Sequence, residues 1–101
     1  MRDIEKIAKH YGFANQASQL VEEMAELTKA LSKMRRSNRD NALIETDGEF
    51  YTIEERAVIE EIADVSVMIE QIKYLLNCEG LVACIMRDKI VRQLKRMEEG
   101  R

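Results

Sequence analysis

The chain has no proline, no tryptophan, one histidine, four glycines and two cysteines in 101 residues. Lacking proline and nearly lacking glycine, it is free to form long uninterrupted helices. A single histidine excludes metal centres built on imidazole clusters. Cys78 and Cys84, with five residues between them, match no zinc or redox spacing and read as ordinary reduced thiols. No apolar run approaches the length of a membrane span. The opening Met1-Arg2-Asp3-Ile4-Glu5 is charged where a secretory leader would be apolar. A net charge of −3 gives no general basic surface for nucleic acid. These absences point to a cytoplasmic protein that engages neither membrane nor nucleic-acid polymer.

What is present is helix-forming. Residues 3–11 form a short predicted helix with Ile4, Ile7, Ala8 and Tyr11 on one side, interrupted at Gly12. Asn15 is the expected N-cap of a second helix running to about Arg36. Its apolar stripe is Leu20, Met24, Leu27, Leu31 and Met34. From Ser37 to Tyr51 the helical period is lost, and Asp47-Gly48 between short apolar runs signals either a hairpin or an ordered loop. Thr52 and Glu55 then match a capping box. The third helix follows to about Asn77, with Val58, Ile62, Val65, Ile69, Ile72 and Leu76 as its stripe. Asn77 and Gly80 supply a stop, and a fourth helix covers about Leu81 to Glu98. The length suits one domain with a modest core, spanning residues 1–101. The expected architecture is an all-α helical bundle of about four helices with a short hairpin or loop insertion, completed by oligomerisation.

Two carboxylate pairs at i, i+3 stand out: Glu23 with Glu26, and Glu61 with Asp64. Such pairs share a helix face. On a wheel of about 100° per residue, Glu23 and Glu26 border the buried stripe of the second helix. Glu22 falls on the far side. On the third helix Glu61 lies inside the apolar arc, Asp64 at its margin and Glu60 toward solvent. An ionised Glu61 there requires compensation, by a cation or by an Arg or Lys partner, unless it is a rim residue that reaches water or a salt bridge. Four acids on the core-facing margins of successive helices would repel unless a hard divalent cation sat between them. Helical bundles build such centres from inward carboxylates. The absence of histidine favours Mg²⁺, with Mn²⁺ as an alternative, over zinc or iron.

These residues resemble a known family. Tyr11-Gly12, Gln16, Gln19 and Leu20-Val21-Glu22-Glu23-Met24-Ala25-Glu26-Leu27 are similar to the first half of MazG-like nucleotide pyrophosphohydrolases. Glu60-Glu61-Ile62-Ala63-Asp64-Val65 is similar to the second half, and the resemblance covers roughly residues 11–97. It implies an all-α fold, homodimers or homotetramers, and hydrolysis of a nucleoside triphosphate to a monophosphate and pyrophosphate. Glu23, Glu26, Glu61 and Asp64 would serve as catalytic and metal-binding residues, and Lys89 and Arg92 would lie near the phosphates. The chain departs from the family pattern in its longer gap of 34 residues between Glu26 and Glu61, which puts substrate identity in doubt.

The residues also allow a bottom-up reading of the remaining polar groups. Lys89, Arg92 and Arg96 cluster on one side of the fourth helix, opposite Met86, Ile90, Leu94 and Met97. They read equally as a phosphate-binding face or a solvated one. Gln16 and Gln19 precede the acids on the same side and are candidate contacts to a base or sugar, or cap polar edges. Lys33, Arg35, Arg36 and Arg39 suit a helix C-terminus. His10 reads as a surface or dimer residue and the methionines as core and interface filler. Either Glu23 or Glu26 could accept a proton from an attacking water. Glu26→Ala and Asp64→Ala are expected to abolish turnover and Glu22→Ala to be mild. The competing readings are a non-catalytic helical dimerisation or adaptor module and a nucleotide sensor; an adaptor has no reason to keep Glu61 inside its apolar arc.

Overall fold

Four helices and one small hairpin make up residues 2–37 and 43–100, the part of the chain that the computed structural model describes. The expected basic residue Arg39 and the opening of the expected insertion fall outside these residues. In chain order the elements are α1 (Asp3–Tyr11), α2 (Phe13–Arg36), β1 (Leu43–Thr46), β2 (Glu49–Thr52), α3 (Ile53–Leu76) and α4 (Glu79–Glu98). The architecture is all-α. No described helix is long and apolar enough to cross a membrane.

Local chemistry accounts for most boundaries. At the end of α3's approach, Thr52 caps the Glu55 amide at 3.1 Å while Glu55 accepts from the Thr52 amide at 2.8 Å, so both halves of the capping box form. The excursion is a hairpin, with Leu43 opposite Thr52 and Thr46 opposite Glu49. Its two-residue turn, Asp47-Gly48, has positive φ at both positions, 55° and 81°, as a turn matched to strand twist requires.

Two boundaries differ from the sequence expectation. Helix α2 begins at Phe13, with Gly12 rather than Asn15 at its cap. Gly12 adopts φ +83°, and its amide donates to Ala8 O at 2.8 Å. One residue therefore closes α1 and opens α2, which leaves no place for an Asn cap. Asn15 instead donates its side-chain amide to Tyr11 O at 2.8 Å, across the junction. Helix α4 begins at Glu79, so Gly80 is its second residue and not a stop. Asn77 alone ends α3, in the left-handed conformation (φ 52°, ψ 48°), with Cys78 N–H returning to Lys73 O at 3.0 Å.

The main packing is between α2 and α3, with α1 against α3. The buried face of α3 carries Val58, Val65, Met68 and Gln71. It is turned from the expected stripe toward Glu61, and Ile62, Ile69 and Leu76 are left exposed. A polar tie lies on the covered face. Gln71, only 2% exposed, accepts from the Gln16 amide at 2.7 Å, and its own amide points to Met68 Sδ at 3.6 Å. Buried amides must find partners, and this pair ties α3 to α2. Gln71→Ala is expected to destabilise by roughly 2–4 kcal/mol, because it opens a cavity and leaves the Gln16 amide unpaired. Urea unfolding of the single changes and of Gln16→Leu with Gln71→Leu checks this. The double change should cost less than the sum of the singles, and strict additivity would refute the coupling.

Candidate metal centre

Gln16 faces Gln71, and Glu23 faces Glu61 and Asp64. Rising numbers on α2 thus meet falling numbers on α3, which makes the two helices antiparallel. Seven residues separate Gln16 from Glu23 and Gln71 from Asp64, about two helical turns on each. The Gln16–Gln71 tie therefore holds the two acid pairs at the same level of the helix pair.

Glu23, Glu61 and Asp64 each offer a carboxylate oxygen, and these three atoms all lie within 4.8 Å of one another. Glu23 and Glu61 are half-buried, while Asp64 is exposed. Gln19 donates to Glu23 Oε1 at 2.8 Å, which holds the Glu23 carboxylate in place. Glu61 Oε2 is buried and has no hydrogen-bond partner among the described residues. Burial pushes the Glu61 carboxyl above the usual carboxylate range, and Asp64, Glu23, Glu26 and Glu60 push it the same way. Among the described residues, every charged group acting on it is acidic.

This donor set fits a hard divalent cation. It is all oxygen, it is held by two helices, and it contains a buried oxygen with nothing to bind it. In an octahedral shell at about 2.1 Å, opposite ligands sit about 4.2 Å apart. Only one pair of the three can sit opposite, and adjacent ligands sit about 3.0 Å apart, so oxygens within 4.8 Å of one another would draw together around an ion. An exposed Asp64 leaves one side open to solvent.

The remaining candidates distribute as follows. Glu26 is near enough to act on Glu61 but is outside the group of three. Gln16 is 7% exposed and its amide is used inside the fold. Gln19 is spent on positioning Glu23. Lys89 and Arg92 are exposed and line a shallow depression with Gln93 and Arg96. No cation of α4 is among the groups acting on Glu61. Glu60 pairs with Arg56 at 3.4 Å on the outside of α3. His10 is exposed, edge-on to Tyr11, and both cysteines are free thiols. A cavity of about 450 Å³ lies elsewhere, lined by Met34, Arg35, Leu43 and Thr52. It shares no residue with the acids and lacks their convergence.

Gln71 is the residue that sequence reading passed over. Its signal was available: a lone glutamine seven positions after Asp64, among apolar residues of the same helix face. The Gln19 tie gives a separate test. Gln19→Leu is expected to weaken Mg²⁺ binding about tenfold with little change in stability, since a group orienting a metal ligand acts on affinity. Calorimetric titration reads this, and unchanged affinity would show that the tie has no bearing on the centre. No protein-family model, curated protein or solved structure matches the chain.

Proposed function

We propose that the chain is a Mg²⁺-dependent nucleoside triphosphate pyrophosphohydrolase of the MazG-like kind, converting an NTP or dNTP to a monophosphate and pyrophosphate, with Mn²⁺ as a substitute ion. The observation that carries this reading is the convergence of Glu23, Glu61 and Asp64 with the unpartnered, buried Glu61 Oε2. The ordered acid pairs on two helices, which resemble that family's pattern, support it. Clearing non-standard or surplus nucleotides is the role such an activity would serve, in the cytoplasm and as a homodimer or homotetramer.

Glu23, Glu61 and Asp64 would hold the cation, which supplies charge neutralisation for the phosphates and a more acidic water. Gln19 keeps Glu23 in place for that task. Glu26, beside the three but outside them, is the carboxylate left to accept a proton from water. The water oxygen forms a bond to one phosphorus of the α–β anhydride. The bond from that phosphorus to the bridging oxygen breaks, and the bridging oxygen keeps the electron pair. The proton ends on the carboxylate and then passes to solvent.

The exposed apolar surface of α4 favours a second reading, a helical dimerisation module without catalysis. That reading leaves the unpaired Glu61 oxygen without a purpose. The deciding experiment is pyrophosphate release measured with Mg²⁺ across the ribo- and deoxyribonucleoside triphosphates. Release with at least one of them supports the enzyme. Saturable nucleotide binding without release indicates a sensor, and neither binding nor release leaves the adaptor.

A further inference from the structure

The cavity of about 450 Å³ has the size of a small-molecule site, roughly 300–1,000 Å³. Met34, Arg35 and Ser37 form one wall, where α2 ends. Leu43, Thr52 and Glu55 form the other, where the hairpin meets α3. Leu43 lies opposite Thr52 at the open end of the hairpin. The segment that separates the two acid pairs therefore builds this second wall.

The cavity and the acids belong to one helix pair. Met34 and Ser37 follow Glu23 and Glu26 by eleven residues each. Eleven residues make about three turns and return to within about 20° of the same side of the helix. On α3, Glu55 precedes Glu61 by six residues, about 9 Å of helical rise. Side chains lean toward the N-terminus of their helix, and the N-terminus of α3 is the cavity's end. The Glu61 and Asp64 carboxylates therefore lean toward the cavity.

Most polar groups of the lining are already engaged. Ser37 Oγ donates to Met34 O at 2.8 Å, and Thr52 and Glu55 complete the capping box. Arg35 is different: it makes no hydrogen bond or ion pair with another described residue. A guanidinium offers donors only, in a fixed planar fork. It matches an edge that presents two adjacent acceptors, such as O6 and N7 of a 6-oxopurine. It rejects adenine, where an amino donor replaces O6.

We infer that this cavity is the base-binding end of the nucleotide site, and that Arg35 selects a 6-oxopurine over adenine. Met34 and Leu43 supply apolar walls for the faces of the ring. The inference rests on the nucleotide reading of the acid centre and names the base that the site would take.

Titration calorimetry on the full chain with Mg²⁺ tests this with three probes. They are the α,β-methylene analogues of GTP and of ATP, which resist cleavage at that bond, and inorganic triphosphate. The guanosine analogue should bind about tenfold more tightly than the adenosine analogue, and more tightly than inorganic triphosphate. Arg35→Ala should bring the guanosine analogue down to the adenosine level. Leu43→Trp, which adds bulk to the cavity from an exposed strand position, should weaken both analogues toward the affinity of inorganic triphosphate. Should either variant lose its helical circular dichroism, the wild-type comparison still decides. Equal binding of the two analogues by the wild type overturns the inference, as does a guanosine preference that survives Arg35→Ala. A loss in Arg35→Ala that is as large for inorganic triphosphate shows that Arg35 reads phosphate, and overturns it too. Inorganic triphosphate bound as tightly as the analogues refutes the cavity alone and leaves the acid centre standing. Failure of all three to bind refutes the nucleotide reading itself, and the inference falls with it.

Discussion

Glu61→Gln is expected to lower pyrophosphate release by at least about 100-fold and, in the same molecule, to raise the melting temperature of the metal-free protein at neutral pH. The two effects have one origin. Burial first, and then Asp64, Glu23, Glu26 and Glu60, push the Glu61 carboxyl above its ordinary value of 4.5. A carboxyl that binds its proton more tightly folded than unfolded favours the folded state at low pH. That advantage is fully present below the unfolded value and is lost as pH rises through the raised folded value. As pH rises through that raised value the metal-free protein takes on the penalty of the charge. Glutamine removes the charge and keeps the shape, so the two stability curves should run together in acid and separate toward neutrality. Thermal unfolding against pH in a chelating buffer measures this. A variant as active as the wild type removes the catalytic proposal. A variant less stable than the wild type at neutral pH would show that another group already compensates Glu61.

Magnesium should reverse that penalty in the wild type. A ligand at about one hundred times its dissociation constant stabilises the state it binds by about 2.7 kcal/mol. For a domain of this length that moves the melting temperature by roughly 10–20 °C. Protein concentration must be held constant in the comparison, because an oligomer's melting temperature depends on it. Asp64→Ala and Glu23→Ala are expected to lose most of the rise, since each removes one of three converging oxygens. Glu26→Gln should keep most of it and lose turnover instead, because Glu26 lies outside the three. Glu22→Ala should keep both. Scanning calorimetry with and without Mg²⁺ gives the ranking. An equal loss at Glu22 would place the site on the wrong face of α2, and no rise in the wild type with either Mg²⁺ or Mn²⁺ would remove the centre.

The acid site was legible in outline because helical spacing alone pairs Glu23 with Glu26 and Glu61 with Asp64. Which members converge was not. The two helices approach at an angle and level that their own periodicity does not contain, and Glu26 falls to the margin while Glu23 is drawn in. Gln16 shows the same gap. It reads as a ligand group on α2 until α3 supplies Gln71 across a sequence separation of fifty-five residues. Gln19 likewise sits one turn from Glu23, and its role depends on the side chain turning along the helix and not out of it. Lys89 and Arg92 share a helix face, as the wheel indicates, and line a depression with Gln93 and Arg96, but neither is among the charges acting on Glu61.

The sequence by itself determined the four helices, the turn at Asp47-Gly48 and the Thr52 cap, and it determined which acids could share a face; that the turn closes a hairpin came from the strand pairing. Those features are set by torsions and hydrogen bonds among residues a few positions apart. Tertiary structure alone decided the rotation of α3 toward Glu61, the selection of Glu23 over Glu26, and the exposure of the α3 and α4 stripes. A helix's periodicity defines its faces but not which one is covered. That choice belongs to contacts between distant segments, such as the buried Gln16–Gln71 pair.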